Sequence, residues 1–196
     1  MRRLALLLLL AVPAPAGAAP VCGPAEARTM AAGELTRVYV RRHEAYACTR
    51  GVRARRHLGN TYCYGSSSGC ETVDDAAVGG RFFAYAVQAC CDSYGDAYFD
   101  LVVRHAGTGR MRERHDVGEI STTNAYIKRI VLRQSGAAAW LWRRVDRQGE
   151  SHVVSRSPRC GEPATLAEAP AIARFRRDGA RVRWREGGTD RSAPLC

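Results

Sequence analysis

Residues 63–70 read CYGSSSGC, and residues 65–69 between the cysteines match the pattern G-x-S-x-G. In α/β-hydrolases this pattern marks the strand-to-helix turn that carries the nucleophilic serine, which would be Ser67 here. That turn requires a core strand before the serine and a helix after it. Residues 59–64 leave room for only a short strand, and residues 70–76 contain no helix signal. We therefore expect a serine-rich loop, with a small serine esterase or hydrolase using Ser67 as the alternative.

Arginines recur at every second residue in three segments, a spacing that places side chains on one face of a strand. Guanidinium groups bind carboxylate, phosphate and sulfate through paired hydrogen bonds. The spacing therefore predicts anion-binding surfaces, although a solvated strand face that discourages edge pairing has the same pattern. The residues are Arg53 and Arg55, then Arg110, Arg112 and Arg114, then Arg181, Arg183 and Arg185.

The remaining polar residues predict no metal or cofactor. Asp92, Asp96 and Asp100 share a glycine-containing stretch, but their spacing differs from that of an EF-hand calcium loop. The five histidines are scattered and form no zinc-binding pattern such as H-E-x-x-H. No DNA-reading motif is present, so sequence-specific nucleic-acid binding is not expected.

The first twenty residues have the organisation of a secretory signal peptide. Two arginines, a nine-residue apolar run and an Ala-Gly-Ala segment follow one another. We predict a signal peptide over residues 1–18, secretion, and one all-β repeat domain over residues 19–196. The apolar run is too short to span a bilayer, and we expect no transmembrane segment after cleavage.

All eight cysteines lie beyond the predicted signal. An even number of cysteines in an exported chain indicates disulfides, and their spacing does not fit zinc. Two pairs are the simplest to propose, and the other pairings stay open. Cys63 with Cys70 would close a glycine-containing loop, and Cys160 with Cys196 would fasten the last segment.

The chain carries a formal net charge of +11, and Lys128 is its single lysine. Loss of the two arginines of the signal peptide would leave +9. A basic exported protein is attracted to anionic glycans, wall polymers, nucleic acid or acidic lipid. We therefore expect the partner to be another protein or an anionic polymer of the cell envelope.

Four segments with a turn followed by a short apolar-aromatic strand line up along the chain. They are RRHEAYACTRG (41–51), GGRFFAYAVQA (79–89), QSGAAAWLWRR (134–144) and RDGARVRWREG (177–187), with aromatic anchors Tyr46, Tyr85, Trp140 and Trp184. Flanking strand signals complete units of about four strands in roughly 40–50 residues, the size of a propeller blade. We predict an all-β fold of repeated four-stranded antiparallel units, propeller-like and disulfide-stapled, with a two-sheet β-sandwich as the alternative. Residues 25–35 and 164–173 are the candidate short helices.

A resemblance to a known group of proteins rests on four segments, GRFFAYAV, LVVRHAGTGRM, IVLRQSGAAAWLW and RVRWREGGTDRSAPL. The chain is similar, over most of residues 27–195, to uncharacterised secreted actinobacterial proteins with degenerate β-propeller-type repeats of the TolB-like and WD-like kind. The resemblance implies propeller-type blades and no particular activity. A four-bladed ring, an open stack of blades and a sandwich all fit the pattern. Together with the charge, these features predict a non-enzymatic binding or scaffold protein of the envelope or extracellular space.

Overall fold

The computed structural model describes residues 21–62, 70–90, 98–119, 126–146, 149–157 and 164–196. In these ranges all regular structure is β-strand, so the predicted all-β class is confirmed there. The described residues contain no helix that could cross a membrane. The strands are β1 (Arg28–Ala32), β2 (Thr36–Arg41), β3 (Glu44–Thr49), β4 (Arg56–Asn60), β5 (Cys70–Gly79), β6 (Phe82–Cys90), β7 (Tyr98–His105), β8 (Met111–Glu119), β9 (Tyr126–Leu132), β10 (Ala138–Asp146), β11 (Gly149–Arg156), β12 (Ala164–Ala169), β13 (Ile172–Asp178), β14 (Arg181–Glu186) and β15 (Thr189–Pro194).

The described strands pair in chain order and form three sheets, β1 to β8, β9 to β12 and β13 to β15. Neighbouring strands are antiparallel except β4 and β5, which share one parallel bridge between Asn60 and Thr72. That junction divides the largest sheet into two four-stranded units. We call β1–β4, β5–β8, β9–β12 and β13–β15 the first, second, third and last units. No pairing among the described strands closes any of these sheets on itself.

Tight turns account for this order, because they make consecutive strands antiparallel neighbours. The β14–β15 turn is Gly187-Gly188, with φ angles of 53° and 86°. Two successive residues with positive φ form the turn whose twist matches that of paired strands. Arg42 and His43 adopt the same conformation between β2 and β3, with φ angles of 50° and 67°.

Successive units pack face to face, and each contact has its own apolar cluster. Alternate side chains of a strand point to opposite faces of its sheet. Phe83 of β6 therefore faces the first unit, while its neighbour Phe82 faces the third. In the third unit Trp140 of β10 faces the second unit, and Leu141 faces the last. The second and third units are thus buried on both faces.

Three of the four predicted aromatic anchors occupy equivalent positions. Tyr85, Trp140 and Trp184 lie on the second strand of their units and pack toward the preceding unit. Tyr46 lies on β3, the third strand of its unit, and its second-strand counterpart is Tyr39 on β2. The two tyrosine rings are stacked, with centroids 5.6 Å apart. The predicted repeat is therefore shifted by one strand in the first unit, where Tyr39 rather than Tyr46 occupies the position of the anchor.

The second and third units approach closely where β5 meets β9. A Cβ atom on Gly79 would lie 2.6 Å from the carbonyl oxygen of Arg133 and 2.9 Å from that of Leu132. Oδ2 of Asp75 accepts a hydrogen bond from the backbone N–H of Ile130 at 2.7 Å. Close packing and one directional bond together fix these two strands against each other.

Residues 21–27 cover the outer face of the first unit. Cys22 forms a disulfide with Cys48 of β3, a pair that the sequence analysis does not propose. The guanidinium group of the buried Arg37 donates hydrogen bonds to three carbonyl oxygens of this segment. The disulfide indicates an oxidising compartment.

Both candidate short helices are wrong. Residues 25–35 contain β1, and residues 164–173 contain β12 and the start of β13. β1 pairs with β2 and β12 pairs with β11, so backbone groups are satisfied between strands rather than within a helical turn. Strand pairing of this kind overrides weak local propensity.

We expect Gly79→Ala to lower the free energy of unfolding by about 1–3 kcal/mol, because the added methyl group pushes the β9 backbone away. Gly107→Ala is the matched control, since the nearest atom to its Cβ would be Cε1 of His105 at an ordinary 3.5 Å. That control should stay within about 0.5 kcal/mol of wild type. Urea unfolding of the oxidised proteins measures both values, and equal stability of the two variants would contradict the close β5–β9 contact.

Burial raises the pKa of Asp75, and hydrogen bonds from the N–H groups of Ile130 and Ala76 lower it by less. The folded pKa therefore lies above the ordinary value of 3.8. A raised carboxyl pKa means that the folded state binds the proton more tightly than the unfolded state. This contribution to stability is present at low pH and is lost as the pH rises through the folded pKa.

Asp75→Asn keeps an acceptor oxygen for Ile130 and removes the buried charge. We expect the variant to melt at a higher temperature than wild type at pH 7. The difference should shrink as the pH falls through the raised folded pKa, because the wild-type carboxyl then becomes protonated. Thermal melts across this range check the prediction. A difference that stays constant with pH would show that Asp75 does not titrate in the contact.

Candidate anion-binding surfaces

The arginine row of β14 lies on one face of the last unit, as its spacing predicts. Val182 and Trp184 are buried against the third unit. Arg181, Arg183 and Arg185 therefore point to the opposite side of the sheet. Arg181 and Arg183 are exposed there and Arg185 is half-buried. We call this outer side of β13–β15 the arginine face.

The three arginines of the row make only local polar contacts. Nε of Arg183 lies 2.7 Å from Oδ2 of Asp178, and both side chains are about half exposed. Arg181 donates from Nε and Nη2 to Oγ of Ser192, at 3.1 and 2.9 Å. Nε of Arg185 donates to a carbonyl oxygen of the β14–β15 turn at 2.8 Å. Exposed ion pairs contribute about 0–1 kcal/mol, so these contacts orient the guanidinium groups and leave them open to a stronger anion.

Two further arginines extend this face onto β13. Arg176 lies directly opposite Arg183 on the neighbouring strand, an arrangement of like charges that is destabilising. Arg174 lies at a β-bulge with a φ angle of 55°. Neither Arg174 nor Arg176 has a side-chain hydrogen bond or ion pair within the described residues. With Arg183 and Asp190 they line an open cavity of about 400 Å³. Three cations and one carboxylate therefore line this cavity, and of the three only Arg183 has an ion-pair partner in the described part of the chain, Asp178.

Arg53, Arg55 and Arg110 do not lie on strands. Arg53 and Arg55 belong to the connection before β4, and Arg110 precedes β8. The prediction that their spacing places them on strand faces is therefore wrong, because these residues lie in a connection and at the end of a turn, just before β4 and β8 begin. The guanidinium group of Arg55 lies over the ring of Tyr46, 5.2 Å from its centroid. Arg53 is exposed.

Arg112 and Arg114 both lie on β8 but reach opposite faces, so a shared face is wrong for this pair. The Arg112 guanidinium lies 4.7 Å from the ring centroid of Phe82, in the cluster that faces the third unit. Arg114 pairs with Asp100 and stands opposite Val102, in the cluster that faces the first unit. A register shift in β8 adds one residue between the two strands and breaks the alternation.

Arg114 neutralises a buried carboxylate. The Asp100 side chain is 7% exposed and that of Arg114 is 46% exposed. Nε of Arg114 donates to Oδ2 of Asp100 at 2.7 Å, and Nη2 donates to the same oxygen. This contact makes Arg114 a structural residue rather than an open anion ligand. Asp100 also belongs to the candidate calcium loop of the sequence, and its carboxylate is taken up by Arg114. The other two aspartates of that loop, Asp92 and Asp96, lie outside the described residues.

The other predicted site residues are tested only in part. Ser67, Cys63 and Cys160 lie outside the described residues, so the hydrolase alternative and both proposed disulfides stay predictions. Cys70 begins β5, and Cys196 is disulfide-bonded. In the described ranges, no three histidine, cysteine, aspartate or glutamate side chains are grouped in a way that could hold a metal ion.

Arg174 and Arg176 are not among the residues predicted from the sequence, although a signal for them was present. They flank Phe175, which is buried in the cluster between the third and last units. The alternation rule that selected the β14 row also places residues 174 and 176 on the face opposite Phe175. The direct opposition of Arg176 and Arg183 depends on strand register, which that rule does not give.

The described chain is an all-β protein of packed antiparallel units with an arginine-rich outer face. Comparison with protein-family models finds no match for the chain, and neither does comparison with curated proteins. A function must therefore be inferred from the arrangement of charges on the arginine face and in the clefts between units.

We expect Arg114→Gln to lower the free energy of unfolding by about 2 kcal/mol, because the Asp100 carboxylate stays buried without its cation. Arg110→Gln removes the same charge from an exposed side chain four residues away and should change stability by less than about 0.5 kcal/mol. Urea unfolding measures both. An Asp100→Asn/Arg114→Gln double variant should recover part of the loss. If it recovers none, charge burial is not the cause.

Proposed function

We propose that the protein is a non-enzymatic binding protein that attaches through its arginine face to an anionic polymer of the cell envelope or extracellular space. The observation that carries the proposal is the direct opposition of Arg176 and Arg183 beside Arg174 at an open cavity. Like charges placed opposite each other cost stability in the free protein. An anion held between them removes that repulsion and gains charge-assisted hydrogen bonds.

The row on β14 favours a polymer over a single small anion. Alternate residues of a strand are about 7 Å apart, so Arg181, Arg183 and Arg185 present three charges in a line about 14 Å long. Regularly repeated carboxylate, sulfate or phosphate groups can bind all three at once. Each bound group releases counterions, so the affinity should fall as salt increases.

An extracellular location is part of the proposal. The Cys22–Cys48 disulfide favours an oxidising compartment. The predicted signal peptide over residues 1–18 supplies the route of export. Secretion and envelope attachment are therefore proposed together with polymer binding.

We also propose that the units are propeller-type blades in an open stack, as the resemblance to secreted repeat proteins implies. The first strands of successive units contact one another in the order β1, β5, β9 and β13. Propeller blades are four-stranded sheets arranged around a central channel, a geometry that brings one edge strand of each blade close to that of the next. The covered outer face of the first unit and the charged outer face of the last unit support an open stack over a closed ring.

The test is binding of the oxidised protein to isolated cell envelope and to polygalacturonate across a salt series. We expect Arg174→Gln/Arg176→Gln to weaken polygalacturonate binding at low salt by at least about tenfold. We also expect the double variant to reduce the salt dependence, measured as the slope of log K against log salt, by about 1 to 2.

The matched control is Arg28→Gln/Arg53→Gln, which removes the same net charge from two exposed arginines outside the arginine face. This control should bind the polymer nearly as tightly as wild type. Equal losses in both double variants would mean that net charge alone attracts the polymer, and would contradict a site on the arginine face. Circular dichroism of each variant verifies that the fold is retained.

A further inference from the structure

A cleft between the first and second units contains a second group of cations, remote from the arginine face. Here β4 lies beside β6, β7 and the β7–β8 turn, and two cavities of about 380 and 400 Å³ lie along it. The end of β3 is fixed to this turn by a hydrogen bond from Oγ1 of Thr49 to the carbonyl oxygen of Ala106 at 3.0 Å. The cavities are of the size that encloses a small molecule.

Two arginines meet at the turn between these cavities. Nη1 of Arg104 donates to the carbonyl oxygen of Gly109 at 3.1 Å, and Nη2 of Arg56 lies 3.5 Å from the carbonyl oxygen of Thr108. Any Cβ atom on Gly109, whose φ angle is 65°, would collide with the Arg56 guanidinium. Arg56 therefore lies directly against this turn, which needs glycine for the close approach.

Neither of these two arginines is neutralised by a carboxylate within the described residues. The other polar contact of Arg104 is from Nε to the hydroxyl oxygen of Tyr85 at 2.9 Å. The Asp100 carboxylate beside the cleft is already paired with Arg114, and the Glu71 side chain is exposed at its rim. Arg56 lines the smaller cavity and Arg104 the larger one, so two guanidinium groups with spare donors meet at the turn between the two cavities.

One wall of the larger cavity is apolar, beside the polar side chains of His57, Asn60 and Glu71. Leu58 of β4, Val87 of β6 and Val102 of β7 are buried and line the larger cavity. Met111 lies at its opening and is 54% exposed, which is unusual for so large an apolar side chain. Tyr85 lines the same cavity, and its hydroxyl accepts the hydrogen bond from Arg104.

We propose that this cleft binds a small organic ester of phosphate or sulfate. The oxyanion lies between Arg56 and Arg104, in place of the carboxylate that these cations lack. The organic part packs on Leu58, Val102 and Met111. This site is separate from the arginine face and does not require polymer binding there.

Titration calorimetry of the oxidised full chain with phenyl phosphate tests the proposal. We expect one binding site per chain, and a loss of affinity of at least about tenfold in both Arg56→Gln and Arg104→Gln. Arg28→Gln, an exposed arginine that lines neither cavity, should leave the affinity unchanged. Phenyl sulfate runs in parallel, and the tighter of the two ligands identifies the ester.

Inorganic phosphate and the variant Met111→Gln separate the two halves of the site. Inorganic phosphate should bind more weakly than phenyl phosphate in wild type, and Met111→Gln should weaken phenyl phosphate alone. Arg56 is exposed, so its variant keeps the test valid if Arg104→Gln disturbs the fold. Absence of binding to either ester, or an equal loss in Arg28→Gln, would overturn the proposal. Arg174→Gln/Arg176→Gln should retain ester binding, which distinguishes failure here from failure of the polymer proposal.

Discussion

The close contact between β5 and β9 is the constraint on which the rest of the described fold depends. It brings backbone to backbone at Gly79 and fixes the orientation of the two strands through Asp75. The apolar clusters on either side of the second unit can pack without gaps only if the sheets are held at this separation. The units then pack as successive layers, so both faces of the second and third units are buried. The outer faces of the first and last units are left at the two ends.

Arginine lies on both outer faces, but it is covered by protein on the first unit and left uncovered on the last. On the first unit, Arg37 is buried under residues 21–27, where carbonyl oxygens surround its charge. On the last unit, Arg176 and Arg183 are opposed without such a cover. Both arrangements keep apolar side chains of an end face away from water, one by covering the face and the other by lining it with charge. Only the second arrangement leaves guanidinium donors available to a ligand.

The sequence predicts the strands better than it predicts their mutual arrangement. Hydrophobic alternation locates β7, β10 and β14 because each is buried on at least one face, and it gives the direction of the β14 arginines. It fails at Arg112 and Arg114, because a bulge is decided by pairing with β7 rather than by local pattern. It also misses the cation group of the cleft, since Arg56 and Arg104 lie far apart in the chain and meet only after two units have packed.

The cleft and the arginine face differ in what they can recognise. The cleft combines two cations with one apolar wall, so a ligand there contributes both a charge and an organic surface, and its size is limited. The arginine face is the exposed side of a sheet, so it limits neither the length of a ligand nor its shape beyond the spacing of its charges. No described residue lines both, and the buried clusters of the second and third units separate them. Coupling between two sites requires an element with two arrangements that both ligands bias. Tightly packed sheets offer no such element among the described units, so a polymer on the arginine face and a small ester in the cleft should bind independently.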